Sequence, residues 1–131
     1  MGRTQGAFDQ EAASFLAMAK EFLAVAKDCA GRGLWRAAGL NAVHAAISAA
    51  DAVCVLRMHE RAAGEQHDEA ADLLASSGAP SARDKALQFA AILDLKSRVA
   101  YEARPPTKGE CEILVRRATR FVEWAVAVVE G

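Results

Sequence analysis

The residues between Leu34 and Glu60 form the most apolar stretch of the chain, and its apolar positions recur at helical spacing. They make two adjacent stripes, so the predicted helix is apolar on more than one side, as is typical of a helix at the centre of a bundle. Polar residues run between the stripes, spaced so that all of them stack on one face: Asn41, His44, Ser48 and Asp51. Because polar groups in so apolar a helix need partners, this polar line is the main clue to function.

Helical periodicity recurs on both sides of this stretch. Gly31-Arg32-Gly33 ends the first helix, because glycine supplies a left-handed cap at the least conformational cost. Pro105-Pro106 separates the last two helices, because proline lacks the N–H donor that a helix interior needs. The predicted helices cover about residues 8–30, 34–60, 67–76, 82–103 and 107–130.

Capping-box patterns open the last two of these helices. Thr107 is followed by Glu110, and Ser81 is followed by Asp84, where Asp takes the usual place of Glu. No segment has the two-residue period of a strand, and no internal repeat is visible. The sequence therefore predicts one all-α domain over residues 1–131, a five-helix antiparallel up-and-down bundle with short connections.

The composition is that of a soluble globular protein, with 53% hydrophobic and 25% charged residues and a mean hydropathy of +0.05. The apolar stretch carries Asn41, His44 and Asp51, which a bilayer core would penalise, so we expect no membrane association. The N-terminus lacks the basic and apolar runs of a secretory signal, which predicts a cytoplasmic location.

Few motifs of enzyme chemistry are present. Cys29, Cys54 and Cys111 are odd in number and lack CxxC spacing, and each lies on or beside an apolar stripe, which predicts buried reduced thiols. The histidines and carboxylates form neither HExxH nor paired ExxH units, so no metal and no other cofactor are expected. No Gly-rich phosphate loop and no GxSxG motif indicates a familiar enzyme class.

The polar line needs a partner, and the end of the fourth predicted helix offers a guanidinium and a phenol together, on Arg98 and Tyr101. Arg98 could hold a carboxylate or a phosphate with two parallel hydrogen bonds, and Tyr101 could donate to either. The candidate ligand-binding residues are therefore Asn41, His44, Asp51, Arg98 and Tyr101. A structural alternative stays open, in which Arg98 pairs with Asp51 or the polar line is an internal or solvated network.

The last helix carries two further surface features. Lysines and arginines outnumber acidic residues by nine to five between residues 83 and 120. Part of this excess is a basic face near Lys96 and Arg98 that could attract phosphate, or could be an ordinary solvated surface: Arg116, Arg117 and Arg120. Ile113 and Trp124 lie away from the core line of the helix, and a small exposed apolar strip of this kind favours a dimer.

Three segments resemble a known family. The pattern GLNAVHAAISAADAVCVLRMHERAAGEQHDEAADLL over residues 39–74 is followed by LDLKSRVAYE over residues 93–102 and by RATRFVEWA over residues 117–125. Together they resemble the small stand-alone bacterial HEPN domain proteins, in an element order that covers nearly the whole chain. The resemblance implies the HEPN helical bundle, a homodimer, and either RNase activity or nucleotide or RNA binding. It also implies a possible nucleotidyltransferase partner protein in a toxin–antitoxin or defence system.

The RNase signature of that family is an Arg followed four to six residues later by a His on a late helix. The fourth predicted helix carries Arg98 and Tyr101 but no histidine, and the last helix has none. Arg61 and His67 have a similar spacing, but they lie in the turn before the third helix. Arg98 and Tyr101 resemble the Arg and Tyr of members that are not RNases, although Ala100 stands where those members often carry an acidic residue.

Two functions therefore stay open at the level of sequence. The first is a non-catalytic module that binds a nucleotide, an RNA or a partner protein through the polar line together with Arg98 and Tyr101. The alternative is a metal-independent RNase acting at a dimer interface, with His44 or His67 in acid–base chemistry and Arg98 or Arg61 holding the phosphate.

Overall fold

The computed structural model describes residues 2–62 and 67–131, and these are all helix, turn or irregular connection, with no strand. The predicted all-α class is confirmed. The helices are α1 (Gln5–Gly31), α2 (Trp35–Met58), α3 (His67–Ala75), α4 (Ala82–Asp94), α5 (Lys96–Ala100) and α6 (Lys108–Glu130).

Leu95 divides the fourth predicted helix into α4 and the short α5. Its N–H donates to the carbonyl of Ile92, three residues back, at 3.1 Å, which tightens one turn before Val99 N–H bonds to the Leu95 carbonyl at 3.0 Å. The helix then ends at Ala100. Periodicity alone predicted that it would continue to about Ala103.

Helix α2 lies at the centre of the bundle and packs chiefly against α1 and α6. Its alanines are almost all fully buried, and their small side chains let the neighbouring helices approach closely. Gly39 shows this most clearly, because a Cβ atom at that position would overlap the side chain of Val99 on α5. The close approach of α2 and α5 therefore depends on the absence of a side chain at Gly39.

The connection from α1 to α2 is a Schellman motif. Gly33 has a left-handed φ of 75°, the Leu34 N–H donates to the Cys29 carbonyl at 2.9 Å, and the Gly33 N–H donates to the Ala30 carbonyl at 3.1 Å. The predicted glycine cap is confirmed, with Gly33 as the residue that adopts the left-handed conformation.

The two predicted capping boxes have different outcomes. At α6, the Glu110 N–H donates to Thr107 Oγ1 at 3.1 Å and the Thr107 N–H donates to Glu110 Oε1 at 2.8 Å, so that box is confirmed. At α4, the predicted box is wrong. Ser81 has a left-handed φ of 62°, not the extended backbone of an N-cap, and its side chain makes no capping hydrogen bond.

The expected apolar strip on α6 is also corrected. Trp124 is half-buried, packs against Phe121, and donates its indole N–H to the Pro80 carbonyl at 2.8 Å, which joins α6 to the turn before α4. Ile113 is 42% exposed. Trp124 therefore serves the fold of one chain and does not extend an exposed strip.

Helix α2 is long and apolar enough to cross a membrane by length and composition, with a mean hydropathy of 1.5 over its most apolar window. In the structure 67% of that window is buried inside the bundle. Most of this apolar segment is therefore enclosed by the other helices of the chain.

Candidate ligand-binding site on α2 and α5

The polar line of α2 is divided among separate environments. Asn41 is half-buried and donates its side-chain N–H to the Ala37 carbonyl, one turn back, at 2.8 Å. His44 is half-buried against Phe22 of α1, with ring centroids 5.4 Å apart and a 33° angle between the ring planes. Ser48 and Asp51 are buried. The line therefore changes from partly accessible at its N-terminal end to enclosed at its C-terminal end.

Asp51 is paired within the chain. Its carboxylate lies 3.4 Å from a guanidinium nitrogen of Arg61, which follows α2, and that guanidinium lies over the Phe15 ring of α1 at 4.9 Å. Burial raises the pKa of Asp51 to about 6, although the charge of Arg61 acts in the opposite direction. This contact ties the residues after α2 to both α1 and α2.

Arg98 does not meet the polar line. It donates to the carbonyls of Arg104 at 2.7 Å and Pro105 at 3.0 Å, and to Glu110 Oε1 at 3.2 Å. Its Nε also lies 3.1 Å from the Glu102 carboxylate, in ion-pair range but without the alignment of a hydrogen bond. The guanidinium therefore holds the connection between α5 and α6.

The expected cluster of Arg98 with His44 or Asp51 is corrected by these contacts. The carbonyls of the proline turn and a carboxylate at the start of α6 accept hydrogen bonds from both terminal nitrogens of Arg98, so local partners occupy Nη1 and Nη2. Tyr101 follows α5 and is 76% exposed, and its hydroxyl makes no hydrogen bond within the described chain. Within the described residues, neither Arg98 nor Tyr101 forms a hydrogen bond or an ion pair with Asn41, His44 or Asp51.

The positive charge that acts on the polar line of α2 comes from Lys96 and not from the expected Arg98. Val99 of α5 packs on Gly39 of α2, and Lys96, three positions earlier on the same short helix, is half-buried. Helical spacing puts residues three apart on one side, so we expect Lys96 to lie on the α2 side of α5. The pKa of His44 is lowered chiefly by burial and also by the positive charge of Lys96.

We call Asn41, His44 and Lys96 the His44–Lys96 cluster. The lowered pKa keeps His44 neutral at pH 7, so its ring offers one N–H donor and one nitrogen acceptor. Neither His44 nor Lys96 has a side-chain hydrogen bond or an ion pair to another described residue, and the Asn41 carbonyl oxygen is likewise unused. The cluster therefore combines a cation, a neutral imidazole and an amide with spare hydrogen-bonding capacity beside an aromatic ring.

The basic face predicted on α6 forms a different surface. Arg117 and Arg120 line a groove with Lys85 of α4, and Arg116 is exposed beside it. The excess of basic residues is thus divided between this groove and the contacts of Arg98 and Lys96.

The cysteines are unpaired, as predicted. Cys54 and Cys111 are buried, and Cys29 is half-buried. Burial, aided by the negative charges of Asp51 and Glu60, raises the pKa of Cys54 to about 12, while the Cys111 thiol donates to the Trp35 carbonyl at 2.9 Å. Because their pKa values are raised, the Cys54 and Cys111 thiols are poor nucleophiles at neutral pH. No group of three potential metal ligands occurs within residues 2–62 and 67–131.

Comparisons with known proteins add no family: neither the protein-family models nor the curated proteins contain a match to this chain.

Proposed function

We propose that the protein is a non-catalytic HEPN-like module that binds the phosphate of a nucleotide or an RNA at the His44–Lys96 cluster. In this proposal it is a cytoplasmic homodimer and works with a partner such as a nucleotidyltransferase in a toxin–antitoxin system. The observation that carries the proposal is that His44 of α2 and Lys96 of α5 both keep spare hydrogen-bonding capacity, on two helices that pack together, and that the positive charge of Lys96 acts on His44.

The chemistry of the cluster suits a phosphate ester. The Lys96 ammonium supplies a positive charge and three donors, and the neutral His44 ring donates one hydrogen bond to a phosphate oxygen. Phe22 provides an aromatic surface beside His44, and such surfaces support the stacking of nucleotide bases. The Asn41 carbonyl oxygen can accept a hydrogen bond from an exocyclic amine or a ribose hydroxyl.

The arginine contacts support binding rather than RNA cleavage. The RNase alternative needs a histidine and an arginine that converge on one phosphate. Arg98 is occupied by the connection between α5 and α6, and Arg61 is paired with Asp51. The side chain of His67 lies outside the described residues, so its part in that alternative is left to experiment.

Fluorescence anisotropy with a labelled single-stranded oligoribonucleotide tests the proposal. We expect Lys96→Ala to weaken binding by about tenfold, because one charge-assisted hydrogen bond contributes about 1.5 kcal/mol or more. His44→Phe keeps a ring beside Phe22 and removes both nitrogens, and we expect it to weaken binding several-fold.

Lys108→Ala is the matched control, because Lys108 is exposed and its ion pair with Glu112 lies on α6. Equal losses for Lys96→Ala and Lys108→Ala would contradict a specific site and indicate general attraction of a polyanion. Gel analysis of the same RNA should show it intact, and cleavage that disappears in His44→Phe would establish the RNase alternative instead.

A further inference from the structure

The outer surface of α4 carries an exposed leucine between charged grooves of opposite sign. Leu87 is 73% exposed, far more than the other aliphatic side chains of its size in the described chain. On one side it lines a groove with Asp68 and Asp72 of α3, and on the other it lines a groove with Arg117 and Arg120 of α6. Leu87 is therefore the apolar centre of a surface with two charged halves.

The charges of the two grooves are distinct. The groove between α4 and α6, of about 450 Å³, is lined by three cationic residues, one of them Lys85, and by no acidic residue. The groove between α3 and α4, of about 520 Å³, has both aspartates and a single cation, Arg83. None of these charged side chains forms an ion pair with another residue of the described ranges. We call this surface, from α3 across Leu87 to α6, the α4 face.

We propose that the α4 face is the interface of a homodimer, in which α3 of each copy lies against α6 of its partner and the two Leu87 side chains meet at the two-fold axis. This inference deepens the proposed function, which includes a homodimer, by naming the surface that forms it. An axis roughly parallel to α4 exchanges the two sides of the helix. It therefore places the acidic groove of one copy opposite the basic groove of the other, on both sides of the axis.

Charge complementarity favours a second copy over other occupants. A two-fold interface uses the same patch twice, so the patch must match itself, and the α4 face does because its two halves are opposite in charge. An RNA strand would fit the basic half but would be repelled by Asp68 and Asp72 next to it. The exposed Leu87 supplies the apolar centre that charge pairs alone do not give.

Light scattering coupled to size exclusion, on the full chain at tens of micromolar, tests the interface. We expect a dimer for the wild type that weakens as salt is raised from about 0.05 M to about 0.5 M, because exposed ion pairs are screened. Arg117→Glu with Arg120→Glu, and separately Asp68→Arg with Asp72→Arg, should each raise the dimer dissociation constant by more than about tenfold through like-charge repulsion. Arg116→Glu is the control on the same helix, since Arg116 is exposed but does not line the groove.

A mixture of the two charge-reversed variants provides the decisive measurement. Each variant alone has two halves of one sign, but together the acidic copy and the basic copy are complementary on both sides of the axis, so we expect a heterodimer. Circular dichroism of each variant alone checks that it is folded, and Leu87→Ser supplies a second route to a monomer without a change of charge.

A monomeric wild type, a wild-type dimer that both charge-reversed variants retain, or folded variants that do not associate on mixing would each overturn the proposal. Those outcomes leave the phosphate-binding proposal standing, because the His44–Lys96 cluster lies on α2 and α5. Conversely, a wild-type protein that forms this dimer but does not bind RNA would contradict the phosphate-binding proposal and leave the α4 face as the interface.

Discussion

The two cationic side chains of α5, Arg98 and Lys96, have different roles in the structure. Arg98 faces the connection to α6, where two carbonyls and a carboxylate accept its hydrogen bonds, and its side chain is only 14% exposed. Lys96, two residues earlier, lowers the pKa of His44 on α2 through its positive charge and has no ion pair to another residue in the described ranges. The Arg98 guanidinium therefore forms its hydrogen bonds within the fold, whereas the Lys96 ammonium keeps hydrogen-bonding capacity for a ligand.

The difference shows that residue type alone does not identify a binding group. An arginine with a planar fork is the stronger candidate for phosphate on chemical grounds, and a lysine is the weaker one. Geometry reverses that order here, because a hydrogen-bond donor already satisfied by backbone carbonyls has little left to offer a ligand. Stability should therefore depend on Arg98, and ligand binding should depend on Lys96.

Arg98→Ala should have the largest effect on stability. The substitution leaves the carbonyls of Arg104 and Pro105 without their donor and removes a mostly buried guanidinium, so we expect a loss of about 1–3 kcal/mol in the free energy of unfolding. Urea denaturation measures it. Arg116→Ala, on the exposed surface of α6, should stay within about 0.5 kcal/mol of the wild type. Similar midpoints for the two variants would show that Arg98 is not structural.

Gly39→Ala should have an intermediate effect, by forcing α5 away from α2. The added Cβ overlaps Val99, and overpacking of this kind costs about 1–3 kcal/mol, partly offset because alanine favours helix by about 1 kcal/mol. Val99→Ala removes the overlapping methyl groups, so the double variant should be more stable than the sum of the two single losses predicts, by at least about 0.5 kcal/mol. Strict additivity in denaturant melts would contradict the close contact.

Lys96→Ala should have the smallest effect on stability, within about 0.5 kcal/mol, because this side chain has no partner to lose within the described chain. Its effect should appear at His44 instead. Removal of the positive charge raises the pKa of His44 toward its ordinary value, while the part of the shift that comes from burial stays. Titration of the imidazole protons by NMR measures this, and an unchanged His44 pKa would place Lys96 too far away to share a site.

The overall architecture could be predicted because it depends on local patterns. Periodicity and breakers placed the five predicted helices, and the apolar stretch with its interrupting polar line identified α2 as central. The two capping-box patterns show the limit of prediction from local sequence patterns. Thr107 and Ser81 both have a suitable residue three positions later, but only Thr107 has the extended backbone that the box needs. That backbone is set by the preceding turn and not by the pattern itself.

The candidate site could be predicted only in part, because it depends on which side of α5 faces α2. The sequence argument chose Arg98 because its guanidinium, together with the Tyr101 phenol, complements a line of polar side chains. In the structure the missing side chain at Gly39 lets Val99 of α5 pack against α2, and the proline turn with the start of α6 supplies the partners of Arg98. Neither contact can be read from the hydrophobic pattern, so the sequence did not show that Arg98 forms its hydrogen bonds within the fold and that the charge of Lys96 acts on His44.

The enclosed carboxyl of Asp51 has a consequence for folding in mildly acid solution. Between its ordinary pKa of 3.8 and its native pKa of about 6, the unfolded chain carries an ionised Asp51 and the folded chain a protonated one, so folding takes up a proton there. This contribution to stability is therefore present at low pH and is lost as pH rises through about 6. At His44 the lowered pKa has the reverse effect, and just below pH 6.5 folding releases a proton. The enthalpy of unfolding measured near pH 5 should consequently change with the ionisation enthalpy of the buffer.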